Sequence, residues 1–142
     1  MYPKIENNNL SNTYYLDFRY IFNDYKSIKR GLMYIKKPLS NDSVALFIMP
    51  EFRVQGFWMK NTYISLDMIF LSPEGVVMGY KENTKPLDES SYSINFASKY
   101  VIEANGGFVE KYNLKKGDII KLPIKNQKLI KKYNNNIKYN II

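Results

Sequence analysis

Apolar residues along the chain fall into short runs broken by turn residues, the pattern of a protein built mainly from strands. Residues 6 to 12 are polar, rich in asparagine, and predict a mobile lead. From Thr13 to Phe22, the residues Leu16, Phe18, Tyr20 and Phe22 alternate with Tyr15, Asp17, Arg19 and Ile21, the period of a half-buried strand. Asn23 or Asp24 then suits the cap of a short helix through Lys29, with Gly31 ending it. Val44 to Met49 is an apolar run that reads as a strand buried on both faces and stopped by Pro50. Gly56 to Lys60 and Leu66 to Leu71 read as two further strands. Ser72-Pro73-Glu74-Gly75 predicts a type I turn and a hairpin into Val76 to Tyr80.

Residues 81 to 98 are polar and punctuated by Pro86, so they predict a long loop, of a length more often functional or mobile than passive. Tyr100 to Ala104 is another strand. Gly106-Gly107 leads into a helical turn over residues 108 to 112, and Leu114 to Ile120 turns at Gly117 before resuming as a strand. The expected fold is mainly β, with one or two short helices, arranged as a small sandwich or barrel. One domain is expected over residues 13 to 122, between the lead at 1 to 12 and a lysine-rich tail at 123 to 142.

Composition changes this picture in a few places. At 142 residues the chain is long enough for one hydrophobic core without metal or disulfide support. There is no cysteine and no histidine, so thiol catalysis and zinc sites of the usual kind are excluded, and no metal or cofactor is expected. Tyrosine, isoleucine, asparagine and lysine are frequent, the mark of an AT-rich coding sequence. The net charge of +8 is uneven: six lysines and no acid follow Asp118, leaving +2 for residues 1 to 118. Basic character therefore belongs to the tail. No secretory signal is visible at the amino terminus and no apolar run reaches membrane-spanning length, so the chain is expected inside the cell.

The densest chemistry lies in Gly56-Phe57-Trp58-Met59-Lys60-Asn61-Thr62, which leads on to Leu66-Asp67. Taken with Arg30-Gly31-Leu32-Met33, Leu46-Phe47, Val101-Ile102-Glu103, Gly107 and Gly117-Asp118, the order and spacing resemble the family known as domain of unknown function 192, also uncharacterised protein family 0127. The resemblance spans about Arg30 to Ile120 and implies a compact β-domain. It brings no agreed activity, and many relatives are exported. The chain departs from the family pattern at Val44-Ala45, where glycine-methionine is common, at Ser65, where proline is common, and at Ile35, where arginine is common.

Each candidate residue has a functional and a plain structural reading. In an extended segment Trp58 and Lys60 share one face and Phe57 and Met59 the other. Trp58 beside a cation suits a cleft wall that stacks a flat or sugar-like ligand; equally, Trp58 caps the core while Lys60 reaches water. Asn61 and Thr62 suit a turn that bonds back to its own backbone, and Thr62 alternatively offers its hydroxyl at a cleft mouth. Asp67 opens an apolar strand on the side of Ile69 and Leu71, where a carboxylate needs a partner; Arg30, Arg53 and Lys60 are the candidates. Asp67 and Glu103 can be read as an acid and base pair for hydrolysis, or as oxygen ligands of a hard cation, although no dense aspartate loop of the calcium type is present. Asp118 after Gly117 fits turn chemistry.

Three functions follow. The favoured one is a non-enzymatic binding module whose cleft, around Trp58, Lys60, Asn61, Thr62, Asp67 and Arg30, takes a small molecule or peptide. The second is a carboxylate hydrolase using Asp67 and Glu103. The third is a tail that binds nucleic acid or another anionic surface.

Overall fold

The computed structural model describes residues 2–124. Among these, eight strands and two short α-helices form two sheets that are not closed into a barrel. The larger sheet contains β3 (Phe18–Phe22), β4 (Val44–Val54), β5 (Leu66–Leu71), β6 (Val77–Lys81) and β7 (Ala97–Asn105), in the order β3-β4-β7-β5-β6. The smaller contains β1 (Lys4–Asn7), β2 (Asn12–Tyr15) and β8 (Ile119–Ile120), in the order β1-β2-β8. Helix α1 (Tyr25–Arg30) follows β3, and α2 (Phe108–Lys111) follows β7.

β7 is the centre of the fold because it pairs antiparallel with both β4 and β5. Period-two alternation then sends its side chains into two separate cores. On one face Leu46, Ile69, Leu71 and Ile102 pack with Tyr14 and Ile120 of the small sheet and with Phe108 of α2. On the other face Phe47, Met68, Phe70 and Val101 pack with Leu32, which follows α1, and with Met59. Each side chain of this size contributes roughly 1.5–3 kcal/mol when fully buried. A sheet covered on both faces explains why β4, β5 and β7 carry near-continuous apolar runs. Val44 and Ala45 are fully buried in β4.

Several expectations from the sequence need correction. The asparagine-rich lead is not all free of structure: Glu6 and Asn7 pair with Thr13 and Asn12 in the β1–β2 hairpin. All four β1 residues are exposed, which is why no burial pattern marks them. The stretch from Thr13 to Phe22 is two strands in different sheets, divided at Leu16 and Asp17, and the alternation runs on across the break. Pro50 does not stop β4. The register shifts between Ile48 and Arg53, so the proline sits at an irregularity where its missing N–H removes no ladder bond. Gly56 to Lys60 is no strand; its one ladder contact is an isolated bridge between Phe57 and Tyr92. The Ser72 to Gly75 turn forms as expected, with the Gly75 N–H donating to the Ser72 carbonyl at 2.9 Å, and β5 pairs with β6 beyond it.

Candidate functional site

The cleft begins at the end of α1. Asp24 caps the helix by accepting from the Ser27 N–H at 2.8 Å, while the Ser27 hydroxyl reaches back to the Asp24 N–H at 3.3 Å. Gly31 terminates it at φ 48°, and a Cβ there would stand 3.1 Å from the Phe47 ring. Glycine thus lets the last helical turn, with Lys29 and Arg30, close down on β4. The opposite wall is the segment from Gly56 to Thr62, held by the long loop between β6 and β7. Phe57 and Tyr92 exchange backbone hydrogen bonds at 2.9 and 2.7 Å, the Met59 N–H donates to the Asp88 carbonyl at 2.7 Å, and the Leu87 N–H to the Thr62 carbonyl at 3.0 Å.

Between these walls lies an open cleft of about 270 Å³. Lys29, Arg30, Trp58 and Lys60 line it together with Thr62, Glu89 and Ser91; Phe47 and Met49 of β4 and Phe57 form its apolar sides, and Glu103 of β7 also faces it. Trp58 is 40% exposed, so it does not cap the core. The Lys60 ammonium stands 5.1 Å from the Trp58 ring centroid and the Arg30 guanidinium 6.0 Å from that of Tyr34. Thr62 is buried, its hydroxyl donating to the Lys60 carbonyl at 3.2 Å. Asn61 adopts φ 54°, a left-handed turn conformation, and its side-chain amide donates to the Tyr34 hydroxyl at 3.0 Å. It borders an adjoining recess that shares Arg30, Trp58 and Lys60 with the cleft.

Asp67 is elsewhere. The register pairs Asp67 with Ala104 and Met68 with Glu103, so the two carboxyls project from opposite faces of the sheet. They form no acid and base pair and share no cation. Asp67 is fully buried, and its partners are not the predicted cations: its oxygens accept from the backbone N–H groups of Asn83 at 2.8 Å, Gly107 at 3.1 Å and Val109 at 2.8 Å. Arg53 lies near Glu51 at 3.9 Å instead, on the exposed part of β4. Asp118 matches the turn reading, accepting from the Lys115 N–H at 2.8 Å and also from the Asn12 N–H at 2.9 Å.

Glu103 has the opposite character. It is 4% exposed and, among the described residues, no ion pair or hydrogen bond holds its carboxyl. Burial alone pushes its pKa from the ordinary 4.5 up to about 8. Lys29, Glu89, Ser91 and the apolar wall of β4 were not singled out by sequence. The one signal was the length of the loop that carries Glu89 and Ser91.

The geometry defines a β-rich domain with a cleft on one face of its main sheet, rimmed by aromatic rings and cations. The sequence profile of the DUF192 family, described as "uncharacterized ACR", matches residues 20–122, and the chain belongs to that family. Two solved structures are similar. One, from Sinorhizobium meliloti 1021, bears the name "putative transcription regulator"; it is 30% identical with a TM-score of 0.66, over 75% of this chain and 78% of that one. The other, a protein of unknown function from Novosphingobium aromaticivorans DSM 12444, is 27% identical with a TM-score of 0.69, over 81% of this chain and 80% of that one. Comparison with curated proteins gave no match. No helix among the described residues is long and apolar enough to cross a membrane.

Two stability predictions follow from the two carboxyls. Asp67→Ala orphans three backbone N–H groups and is expected to lose on the order of 3–5 kcal/mol; a loss below about 1 kcal/mol in denaturant unfolding would refute the tie. For Glu103 the folded pKa lies above the unfolded one, so the native state keeps a proton that the unfolded chain releases. The contribution is intact below pH 4.5 and is lost as pH rises through about 8. The unfolding free energy of the wild type from urea titrations should therefore fall between pH 5 and pH 7 more steeply than that of Glu103→Gln, by at most about 1.4 kcal/mol per pH unit. Parallel profiles would show that Glu103 is solvated.

Proposed function

We propose that this protein is a non-enzymatic binding module whose ligand enters the cleft between the end of α1 and the Gly56 to Thr62 segment. The observation that carries this reading is the Glu103 carboxyl, buried in the sheet beside an open cleft and, among the described residues, without a hydrogen-bond or ion-pair partner. A core position of that kind is more stable with an apolar residue, whereas a ligand that bonds the carboxyl removes the mismatch. Trp58 supports the same reading. A large ring left exposed at the rim adds contact area for a ligand and little to the core.

The expected outcome in native mass spectrometry is a small adduct on the protein purified gently from its own source, absent from the Trp58→Ala variant. A bare protein in both samples counts against the cleft, while an adduct equally present in both counts against the role of Trp58.

A second reading is favoured by one finding, the name of the Sinorhizobium protein. The lysines that follow Asp118 suit a nucleic-acid backbone, and most of them lie outside the described residues. In this reading, ending the chain after Ile120 abolishes retention on DNA or RNA, and raised salt weakens retention of the full chain steeply. Retention that survives the truncation would remove the tail from the argument.

A further inference from the structure

The charges around the cleft say more about its ligand than its size does. They come from four places. α1 supplies Lys29 and Arg30, the Gly56 to Thr62 segment supplies Lys60, the long loop supplies Glu89, and β7 supplies Glu103. The β4 wall brings no charge; Phe47 and Met49 are its lining residues. Three cations thus meet one carboxylate at the mouth.

Among the described residues these cations have no acidic partner within ion-pair distance. The ion pairs among the described residues join Arg53 to Glu51 and Lys111 to Asp42, neither of them at the cleft. Lys60 and Arg30 are held over aromatic rings instead, by Trp58 and Tyr34. A ring face orients a cation while leaving its positive charge uncancelled. Anions bound there form charge-assisted hydrogen bonds, roughly twice as strong as neutral ones.

Below the mouth the walls are largely apolar, and the buried polar residues that line the cleft are Thr62, whose hydroxyl is already donated to the Lys60 carbonyl, and Glu103. Resting on the cleft reading above, we infer that the ligand is a small organic anion with an apolar body. Its anionic group sits at the mouth on Lys60, Arg30 and Lys29, its body lies along Phe47 and Phe57, and a neutral hydrogen-bonding group at its far end reaches Glu103. A cleft of about 270 Å³ is at the small end of ligand pockets, enough for one ring and its substituents. Glu103 fits this arrangement in its protonated form, which donates a hydrogen bond and adds no negative charge. Once ionised, the same group would repel an anion and attract an ammonium.

Three probes that share one body and keep their charge across the pH range test this: 4-(hydroxymethyl)benzoate, the neutral 4-(hydroxymethyl)benzamide, and the 4-(hydroxymethyl)phenyl trimethylammonium ion. Titrations of the full chain by calorimetry, with backbone amide shifts locating the site, should rank benzoate above amide by about tenfold or more at pH 6.5, with ammonium weakest. Lys60→Gln should weaken benzoate at least about threefold and leave the amide unchanged. Raising the pH from 6.5 to 9 should cut benzoate affinity about tenfold in the wild type and leave Glu103→Gln level. Equal binding of benzoate and amide, or a preference for the ammonium ion, overturns the anion assignment and leaves the cleft standing as a binding site. Absence of shifts at the cleft with all three probes overturns both.

Discussion

A sheet buried on both faces has little tolerance for carboxyl groups, yet the middle of this one holds two, one on each face. Asp67 and Glu103 occupy neighbouring rungs of the ladder between β5 and β7, and the one-residue offset decides everything about them. Asp67 enters a closed core and is reconciled to it by three backbone N–H groups, drawn from the loop after β6 and from the start of α2. In doing so it ties two parts of the chain to β5. Glu103 enters the opposite core beside an opening and, among the described residues, has no such partner. The same side-chain chemistry is structural on one face and available on the other. A slip of either strand by one residue would turn its carboxyl onto the other's face.

The cleft depends on segments that have almost no regular structure of their own. Trp58 and Lys60 belong to a stretch with a single ladder contact, yet it is fixed from both sides. The loop after β6 grips it through Tyr92, Asp88 and Leu87, while Tyr34, just past α1, bonds to Asn61 by backbone and side chain. Met59 is buried beneath it, pinning the segment to the core that also contains Phe47 and Met68. Binding groups on such a segment gain their precision from the sheet below. The Arg30 to Met33 and Phe57 to Thr62 segments, far apart in the chain, face each other across one opening.

The strands legible in the sequence were those whose burial is continuous. β5 and β7 announce themselves as apolar runs, and the turn from Ser72 to Gly75 by its proline and glycine. The stretch from Gly56 to Lys60 was misread as a strand because its alternation is real: Phe57 and Met59 do face inward and Trp58 outward. What it lacks is a neighbour, and the one residue that bridges it, Tyr92, lies in a loop with no strand signal. The partners of Asp67 were illegible for a different reason. Backbone N–H groups are the same at every non-proline residue, so a carboxylate satisfied by them leaves no complementary side chain to find, and attention goes to arginines that are elsewhere. Of the expected ligand residues, Arg30, Trp58, Lys60 and Thr62 do line one cleft, with Asn61 next to it. Glu103 was singled out as a reactant, and only the register showed which face it serves.

The position of Trp58 also determines what the protein's intrinsic fluorescence can report. It is the sole tryptophan of the chain, and it stands at the rim with Lys60 over its ring while the aromatic side chains of both cores are tyrosine and phenylalanine. An indole left 40% exposed meets water in the folded protein as it does in the unfolded chain, so a tryptophan melt is expected to report poorly on damage to the cores. The same placement makes the indole a local optical probe of the cleft mouth, responsive to events there even when the sheet is undisturbed.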